Sequence, residues 1–441
     1  MARTVHIIGA GLSGLSAAVE LTLRGETVVV HEATTFAGGR CRSYRDSILG
    51  MTIDNGNHLL LSGNHAAMRY VGLLGAQHRL VGPPKAEFPF VDLASKEQWT
   101  LRINDGRIPW WVFNSGKRVP GTHAFDYLPM ARLLWAEKDR AVGEVVRFTG
   151  PLYERLMRPL LLAALNIEPS AGSAALAGAV IRETIVAGGE ACRPLVARDG
   201  LGSALIEPAL ELLHKRNNAV KLGHQLHRLR ASDTRVETLD FGDDTVALGA
   251  DDVVILAVPP YTATALMPDL QTPTEFRAIV NAHFRIEPAP YQPAILGLVN
   301  STTEWVFAFP GRVATTISAG DRFIDTPRDA LARTIWSEVA AATGLPPELP
   351  PWQIVRERRA TFAATPEQDA LRPGPNTRFT NLFLAGDWTN TGLPATIEGA
   401  IRSGRRAADL VAQGAFSGKV DTDFPQKMQP TKEARMRSGS A

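Results

Sequence analysis

Three glycines near the N-terminus constrain this chain more than any other feature. Thr4 to Ile8 is rich in β-branched residues, Gly9-Ala10-Gly11-Leu12-Ser13-Gly14 follows, and Leu15 to Leu21 is helical in composition and spacing. Gly25 stops that helix, and Thr27 to His31 is a second apolar, β-branched run that ends at Glu32. This order predicts one βαβ unit. In the Gly9-x-Gly11-x-x-Gly14 spacing, Gly9 permits a tight turn, Gly11 lets the backbone approach a pyrophosphate, and Gly14 lets the helix pack close on the strand. The N–H groups of Leu12 and Ser13 then open a helix that faces phosphates. Glu32 lies 23 residues after Gly9, placed to bind ribose hydroxyls. An acidic side chain there suits an unphosphorylated ribose, which leaves FAD and NAD open and counts against NADP.

A chain of 441 residues with 45% hydrophobic content can build two packed substructures, since one core rarely grows much beyond ~250–300 residues. From about Leu80 to Arg198, Trp99, Trp110, Trp111, Phe113, Trp135 and Tyr153 are scattered among prolines, with helices expected near 129–147 and 152–165. Regular α/β character returns with a helix at Leu205 to His214, strands at Val220 to Arg230 and Val236 to Phe241, and a buried strand at Val253 to Val258. The expected division is a discontinuous dinucleotide-binding domain (1–79, 199–264 and 366–415), an inserted α+β substrate domain (80–198 and 265–365) and a disordered tail (416–441). With 47 Lys and Arg against 45 Asp and Glu, no net field points to nucleic acid. Cys41 and Cys192 stand far apart, in no metal-ligand spacing, so neither a metal site nor a disulfide framework is expected, and a reduced, cytoplasmic setting fits. No stretch of about 20 apolar residues occurs, which excludes a spanning helix but not a peripheral membrane contact.

Gly38-Gly39-Arg40 sits just downstream of Glu32, where a turn and a guanidinium can clamp a pyrophosphate from its other side. Taken with Gly9 to Gly14 and Glu32, it resembles the N-terminal signature of the FAD-dependent amine oxidase and phytoene desaturase superfamily. The C-terminal signature is present too. Leu382-Phe383-Leu384-Ala385-Gly386-Asp387 is similar to that superfamily's strand-Gly-Asp motif, which implies that Gly386 and Asp387 reach the ribityl and pyrophosphate region of FAD. Pro394-Ala395-Thr396-Ile397-Glu398-Gly399-Ala400 resembles the helix start that faces the pyrimidine edge of the flavin. Reduced flavin is negative near N1, and a helix N-terminus stabilises an anion. Ala219 to Leu229 resembles the strand that holds the adenine, centred on Leu226, although Leu226 is equally readable as core.

A narrower resemblance rests on Asp54-Asn55-Gly56-Asn57-His58, on Pro159 to Asn166, on Ile279-Val280-Asn281-Ala282-His283-Phe284 and on Gly386 to Ala400. These are similar to the squalene-associated FAD-dependent desaturase group, the hydroxysqualene dehydroxylases. Asn57 stands where that pattern leads one to expect glutamine, and Cys41 where it has a small residue. The resemblance implies reductive loss of an allylic hydroxyl from a C30 isoprenoid alcohol, with an external electron donor or reductase. It places Gly56, Asn57 and His58 beside the isoalloxazine ring, where His58 is the candidate proton donor; the alternative is a histidine that only orients its loop. Asn281 and His283 are read either as facing the substrate or as part of a half-buried sheet, and Arg158 to Leu165 either as tunnel lining or as a lipid-facing helix. Three other functions stay open: a carotenoid-type desaturase or isomerase, an amine oxidase, and an isoprenoid-binding escort protein without chemistry.

Overall fold

A computed structural model of the chain describes residues 3–147 and 149–417. A five-stranded, wholly parallel sheet forms its first layer, in the order Ala219–Lys221, Thr27–His31, Thr4–Ile8, Val253–Leu256 and Leu382–Leu384. Apart from the largely exposed edge strand Ala219–Lys221, its strands are short apolar runs because both faces are covered: Val5, Ile7, Val28, Val30, Val254, Ile255 and Leu256 are all fully buried. The helix Leu12–Leu23 lies on one face, and the C-terminal helix Ile397–Ser417 crosses it. That crossing is close. A Cβ on Gly404 would stand 2.0 Å from the Ser13 carbonyl oxygen, so glycine is required there for the two helices to meet.

The second large layer is a seven-stranded mixed sheet, ordered Trp352–Phe362, Phe276–Phe284, Arg312–Ile317, Trp305–Phe309, Ile295–Val299, Glu87–Asp92 and Gln98–Arg102. Only the pairing of Ile295–Val299 with Glu87–Asp92 is parallel. The helix Arg328–Thr343 covers one side through Leu331, Ile335, Trp336 and Val339. Mixed α/β layers of this kind match the expected fold class.

Two local expectations are corrected. Val220 to Arg230 is two strands, Ala219–Lys221 in the parallel sheet and Arg228–Ala231 in an antiparallel meander with Val236–Asp240 and Thr245–Ala247. Leu226 falls in the link between them; its side chain packs in the core and its backbone is in no strand. The single helix expected near 129–147 is instead a 3-10 helix, Ala124–Trp135, and a short α-helix, Val142–Val145. Arg158–Leu165 is helical as expected; Leu161, Leu162 and Leu165 are buried, while Ala163 is exposed and Leu160 and Ala164 are half-buried. The C-terminal helix continues to Ser417, and the rest of the expected tail lies outside the described residues.

Candidate functional site

The glycine turn is shaped by backbone contacts. Gly9 has φ +108°, and its N–H donates to the His31 carbonyl at 2.7 Å. A Cβ on Gly14 would stand 1.9 Å from the Gly9 carbonyl oxygen, whereas one on Gly11 would meet nothing within 4 Å. Gly14 is thus a packing glycine, while the space over Gly11 is open. Gly11 is the N-cap of Leu12–Leu23 and supplies no side-chain cap, so the first N–H groups of the helix remain available to an anion. Glu32 accepts from the Ala10 N–H at 2.8 Å and from the Thr34 N–H and hydroxyl, which fixes its carboxylate at the turn.

Gly38 (φ +107°) and Gly39 (φ +55°) fold back over this turn. The Gly38 N–H donates to the Ala10 carbonyl at 2.8 Å, and a Cβ on Gly39 would lie 3.5 Å from the Gly11 Cα. Arg40 then reaches across the fold to Asp387, Nη2 lying 2.7 Å from each carboxylate oxygen although the residues are 347 apart in sequence. Beside it, burial pushes the Cys41 thiol up to about 12, so it packs as an inert apolar group.

Around Gly386 the chain is held from three sides. The Gly386 N–H donates to Ser403 Oγ at 2.9 Å. Trp388, buried, donates from Nε1 to the Val258 carbonyl at 2.9 Å. Arg372, its side chain fully buried, donates to the carbonyls of Asp387 and Thr389, to Thr391 Oγ1 and to Asp369. Sequence reasoning missed Arg372, because an isolated arginine between motifs carries no spacing signal. Pro394, Ala395 and Thr396 precede the final helix, and Thr396 Oγ1 accepts from the Gly399 N–H at 3.0 Å. This cap satisfies one N–H and leaves those of Ile397 and Glu398 at an uncapped, positive helix end. Glu398 itself accepts from the Ala66 and Ala67 N–H groups at 3.0 and 2.9 Å, so it caps the helix His65–Leu73.

The loop Asp54 to His58 meets the strand Phe276–Phe284. Asn281 Oδ1 accepts from the Asn57 backbone N–H, from Asn57 Nδ2 and from Thr316 Oγ1. Asn281 Nδ2, Asn57 Oδ1 and Thr315 Oγ1 are buried without a hydrogen-bond partner among the described residues. The Asn281 amide nitrogen lies 3.4 Å from where a Gly56 Cβ would stand. An orphaned buried amide costs about 1–3 kcal/mol, and this cluster holds polar atoms with unmet hydrogen-bonding capacity. Asp54 accepts from Ser43 Oγ and the Leu201 N–H and faces Arg312, so it braces the loop. His283 is fully buried; its Nδ1 accepts from Arg312 at 2.9 Å, and burial, then Arg312, hold its pKa well below the usual range.

His58 Nδ1 lies 2.9 Å from the Gly56 carbonyl oxygen. A carbonyl only accepts, so Nδ1 carries the proton and Nε2 of the neutral ring is a lone pair. Burial lowers the His58 pKa, against the raising effects of Gly56 and Asp54. A proton can leave Nε2 only from the doubly protonated ring, which this environment disfavours. A second feature went unseen in the sequence: His6, His31 and His224 form a stacked, hydrogen-bonded chain at 3.1 and 2.8 Å that ends on Asp244 and runs beside Glu32. The three lie far apart in sequence, and only the pairing of Thr4–Ile8 with Thr27–His31 and the His224 N–H bond to the Glu32 carbonyl bring them together.

A strand-turn-helix with an open glycine, a carboxylate fixed at the end of the next strand and a second helix start supplied by the distant C-terminus define a dinucleotide-binding α/β flavoprotein, and these residues fit FAD. The sequence family described as flavin containing amine oxidoreductase matches residues 12–412. Hydroxysqualene dehydroxylase of Rhodopseudomonas palustris is 58% identical over 93% of this chain and 99% of its own; that of Sinorhizobium fredii is 59% identical over 93% and 98%. Among solved structures, cyclohexylamine oxidase from Brevibacterium oxydans superposes with a TM-score of 0.67 at 16% identity, covering 94% of this chain and all of that one. The chain belongs to the flavin-containing amine oxidoreductase family and, within it, to the group of the hydroxysqualene dehydroxylases.

Proposed function

We propose that this protein is an FAD-dependent hydroxysqualene dehydroxylase, which replaces the allylic hydroxyl of a C30 alcohol with hydrogen to give squalene and water. The observation that carries the reading is identity of 58–59% to proteins of that name over nearly the whole of both chains. When bound, reduced FAD supplies the hydride and one proton completes the water that leaves. Gly9 to Gly14, Glu32, Gly39, Arg40, Gly386, Asp387 and Pro394 to Ile397 hold the cofactor, and Leu226 contributes through the link it occupies. On this reading the segments of the parallel sheet form the FAD-binding domain and those of the seven-stranded sheet the substrate domain.

What the protein must add is modest: a hydrogen bond to the departing oxygen, and exclusion of water from the allylic cation. Asn57, Asn281 and Thr315 suit this, being neutral and holding unmet hydrogen-bonding capacity, with the Asn281 amide close to Gly56. His58 contributes its proton through the minor, doubly protonated form, with Gly56 fixing the ring. An external donor or reductase restores the flavin, and the substrate reaches the protein from a membrane. Anaerobic mixing of the reduced holoenzyme with hydroxysqualene tests the reading: squalene should form in proportion to flavin reoxidised. Flavin that stays reduced with this alcohol would overturn it, as would reoxidation without squalene.

A further inference from the structure

We propose that the segment from Ile108 to Trp135 is a bilayer-docking face that delivers an isoprenoid alcohol to the protein; for the identity of that alcohol it rests on the hydroxysqualene reading. Six large apolar side chains crowd into this stretch with more than half of their surface in water: Ile108 58%, Trp110 63%, Phe113 63%, Phe125 77%, Leu128 64% and Trp135 79%. Elsewhere in the described residues such side chains, among them Leu23, Phe36, Ile48 and Tyr291, are dispersed along the chain. Singly exposed apolar residues are ordinary, but a concentration of them marks an interaction surface.

The stretch is a built platform. Two 3-10 helices, Trp110–Phe113 and Ala124–Trp135, are joined by their inner sides: the Trp111 and Tyr127 rings meet edge to face at 5.1 Å, and the Val119 N–H donates to the Tyr127 hydroxyl at 3.1 Å. Trp111, Met130 and Leu133 are buried beneath. The helix Ala174–Glu183 supports them so closely that a Cβ on Gly178 would stand 1.9 Å from the Leu133 carbonyl oxygen. Trp110 and Phe113, their rings 6.2 Å apart, are exposed on the first of these helices, and Phe125, Leu128 and Trp135 on the second. A rigid backbone that turns its tryptophans and phenylalanines outward suits the headgroup level of a bilayer, where amphipathic rings are favoured.

The kind of side chain around these rings favours a bilayer over a second protein. Arg107, Lys117, Arg132 and Lys138 are exposed around these rings and have no ion-pair partner among the described residues. Lysines are depleted from the centre of protein interfaces, whereas beside a membrane long cationic side chains reach the headgroups while the rings enter the acyl boundary. Asp105, Asp126, Glu137 and Asp139 lie in the same stretch and balance these cations, so the pull of anionic lipid is the smaller contribution and the apolar side chains the larger. Inward from this face, Trp111, Met130 and Leu133 belong to one continuous apolar cluster with Leu161, Phe362 and Trp388. It runs from the platform to the residue next to Asp387.

Flotation of the FAD-loaded protein with phosphatidylcholine vesicles, with and without about one-third phosphatidylglycerol, tests the proposal. The wild type should float with both, and more with the anionic set. The triple variant Trp110→Ser, Phe125→Ser, Trp135→Ser should lose vesicle binding at least about tenfold. It should lose turnover of vesicle-borne hydroxysqualene in parallel, yet turn over detergent-dispersed substrate within about twofold of wild type. The pair Lys117→Glu and Arg132→Glu should weaken binding only to anionic vesicles. Retained flavin content and melting temperature confirm that each variant is folded. A wild type that ignores vesicles overturns the proposal, as does a variant that binds them normally. So does a variant whose one effect is to abolish a dimer in light scattering, which would assign the face to a second copy. Vesicle binding that responds as expected in a protein that makes no squalene would sink the substrate reading and leave the docking face standing.

Discussion

The glycine turn and the polar cluster around Asn57 and Asn281 differ in what holds them in place. At the turn the constraint is backbone geometry over 24 consecutive residues, Gly9 to Glu32. Gly9 takes a φ closed to most residues and Gly14 touches the Gly9 carbonyl. In the polar cluster the constraint is side-chain hydrogen bonding between Asn57, Asn281, Thr315 and Thr316, which come from opposite parts of the chain. The first arrangement survives any change that respects the backbone. The second fails when one partner is lost, and substitutions separate the two kinds.

The largest effect is expected at Arg372, which belongs to the second kind although it serves the cofactor region. Its guanidinium is wholly buried and satisfies carbonyls on both sides of Trp388. Arg372→Met should cost about 3–5 kcal/mol, the range for breaking a buried charge network, and should release flavin; urea unfolding and flavin content measure both. Next come the glycines, where the turn can be broken in two ways. Gly14→Ala drives a Cβ into the Gly9 carbonyl and should destabilise by about 3 kcal/mol. Gly11→Ala keeps an allowed φ of −72° and meets no protein atom, so the flavin-free protein should melt normally while FAD affinity falls at least about tenfold. Equal destabilisation by both would show that Gly11 also is a packing glycine.

This contrast explains how much the sequence disclosed. Positions fixed by the backbone were readable: the first βαβ unit, Gly38-Gly39 as a turn, and the strand and helix that bracket Gly386 to Thr396. Positions fixed by side-chain partners were not. The spacing of Gly38-Gly39-Arg40 points to a guanidinium at the turn but does not disclose its ion pair with Asp387, 347 residues away. Leu226 was given a strand because Ala219 to Leu229 is β-rich throughout, but a run of residues with strand propensity does not reveal that the sheet it pairs with changes halfway. Arg158 to Leu165 was open to a lipid-facing reading because hydrophobic content alone cannot tell a buried helix from an exposed one.

The histidine chain adds a pH dependence to the comparison. Burial, then the neighbouring His6, His224 and Lys221, lower the His31 pKa from 6.5 to about 3. His6 and His283 are lowered as well, mainly by burial. Between pH 6.5 and about 3 the unfolded chain holds a proton that the native His31 refuses, so stability rises with pH across that window and is lost on acidification. His31→Gln should be about 1–3 kcal/mol less stable near neutrality through its broken hydrogen bonds, yet lose less than wild type when taken to about pH 4.5. Urea midpoints at the two pH values measure the difference, and an equal loss in both proteins would mean that His31 titrates alike in the folded and unfolded chain.

The most discriminating effect, on turnover and not on stability, concerns His58. Gly56 occupies Nδ1–H and burial depresses the pKa, so only a minor fraction of the ring is doubly protonated at neutral pH. A proton donor drawn from that fraction makes turnover rise as pH falls toward the lowered pKa. A ring that only orients its loop gives turnover independent of pH from about 6 to 8. His58→Gln preserves one amide donor for the Gly56 carbonyl and removes the titration. If His58 supplies the proton, the variant should lose about 10²–10⁴-fold in kcat, the usual range for general acid catalysis, and its pH dependence with it, while flavin content is kept. If the ring acts through loop geometry alone, the glutamine should restore most of the activity that alanine loses. The two outcomes assign His58 to chemistry at the departing hydroxyl or to the same hydrogen-bonded scaffold as Asn57 and Asn281.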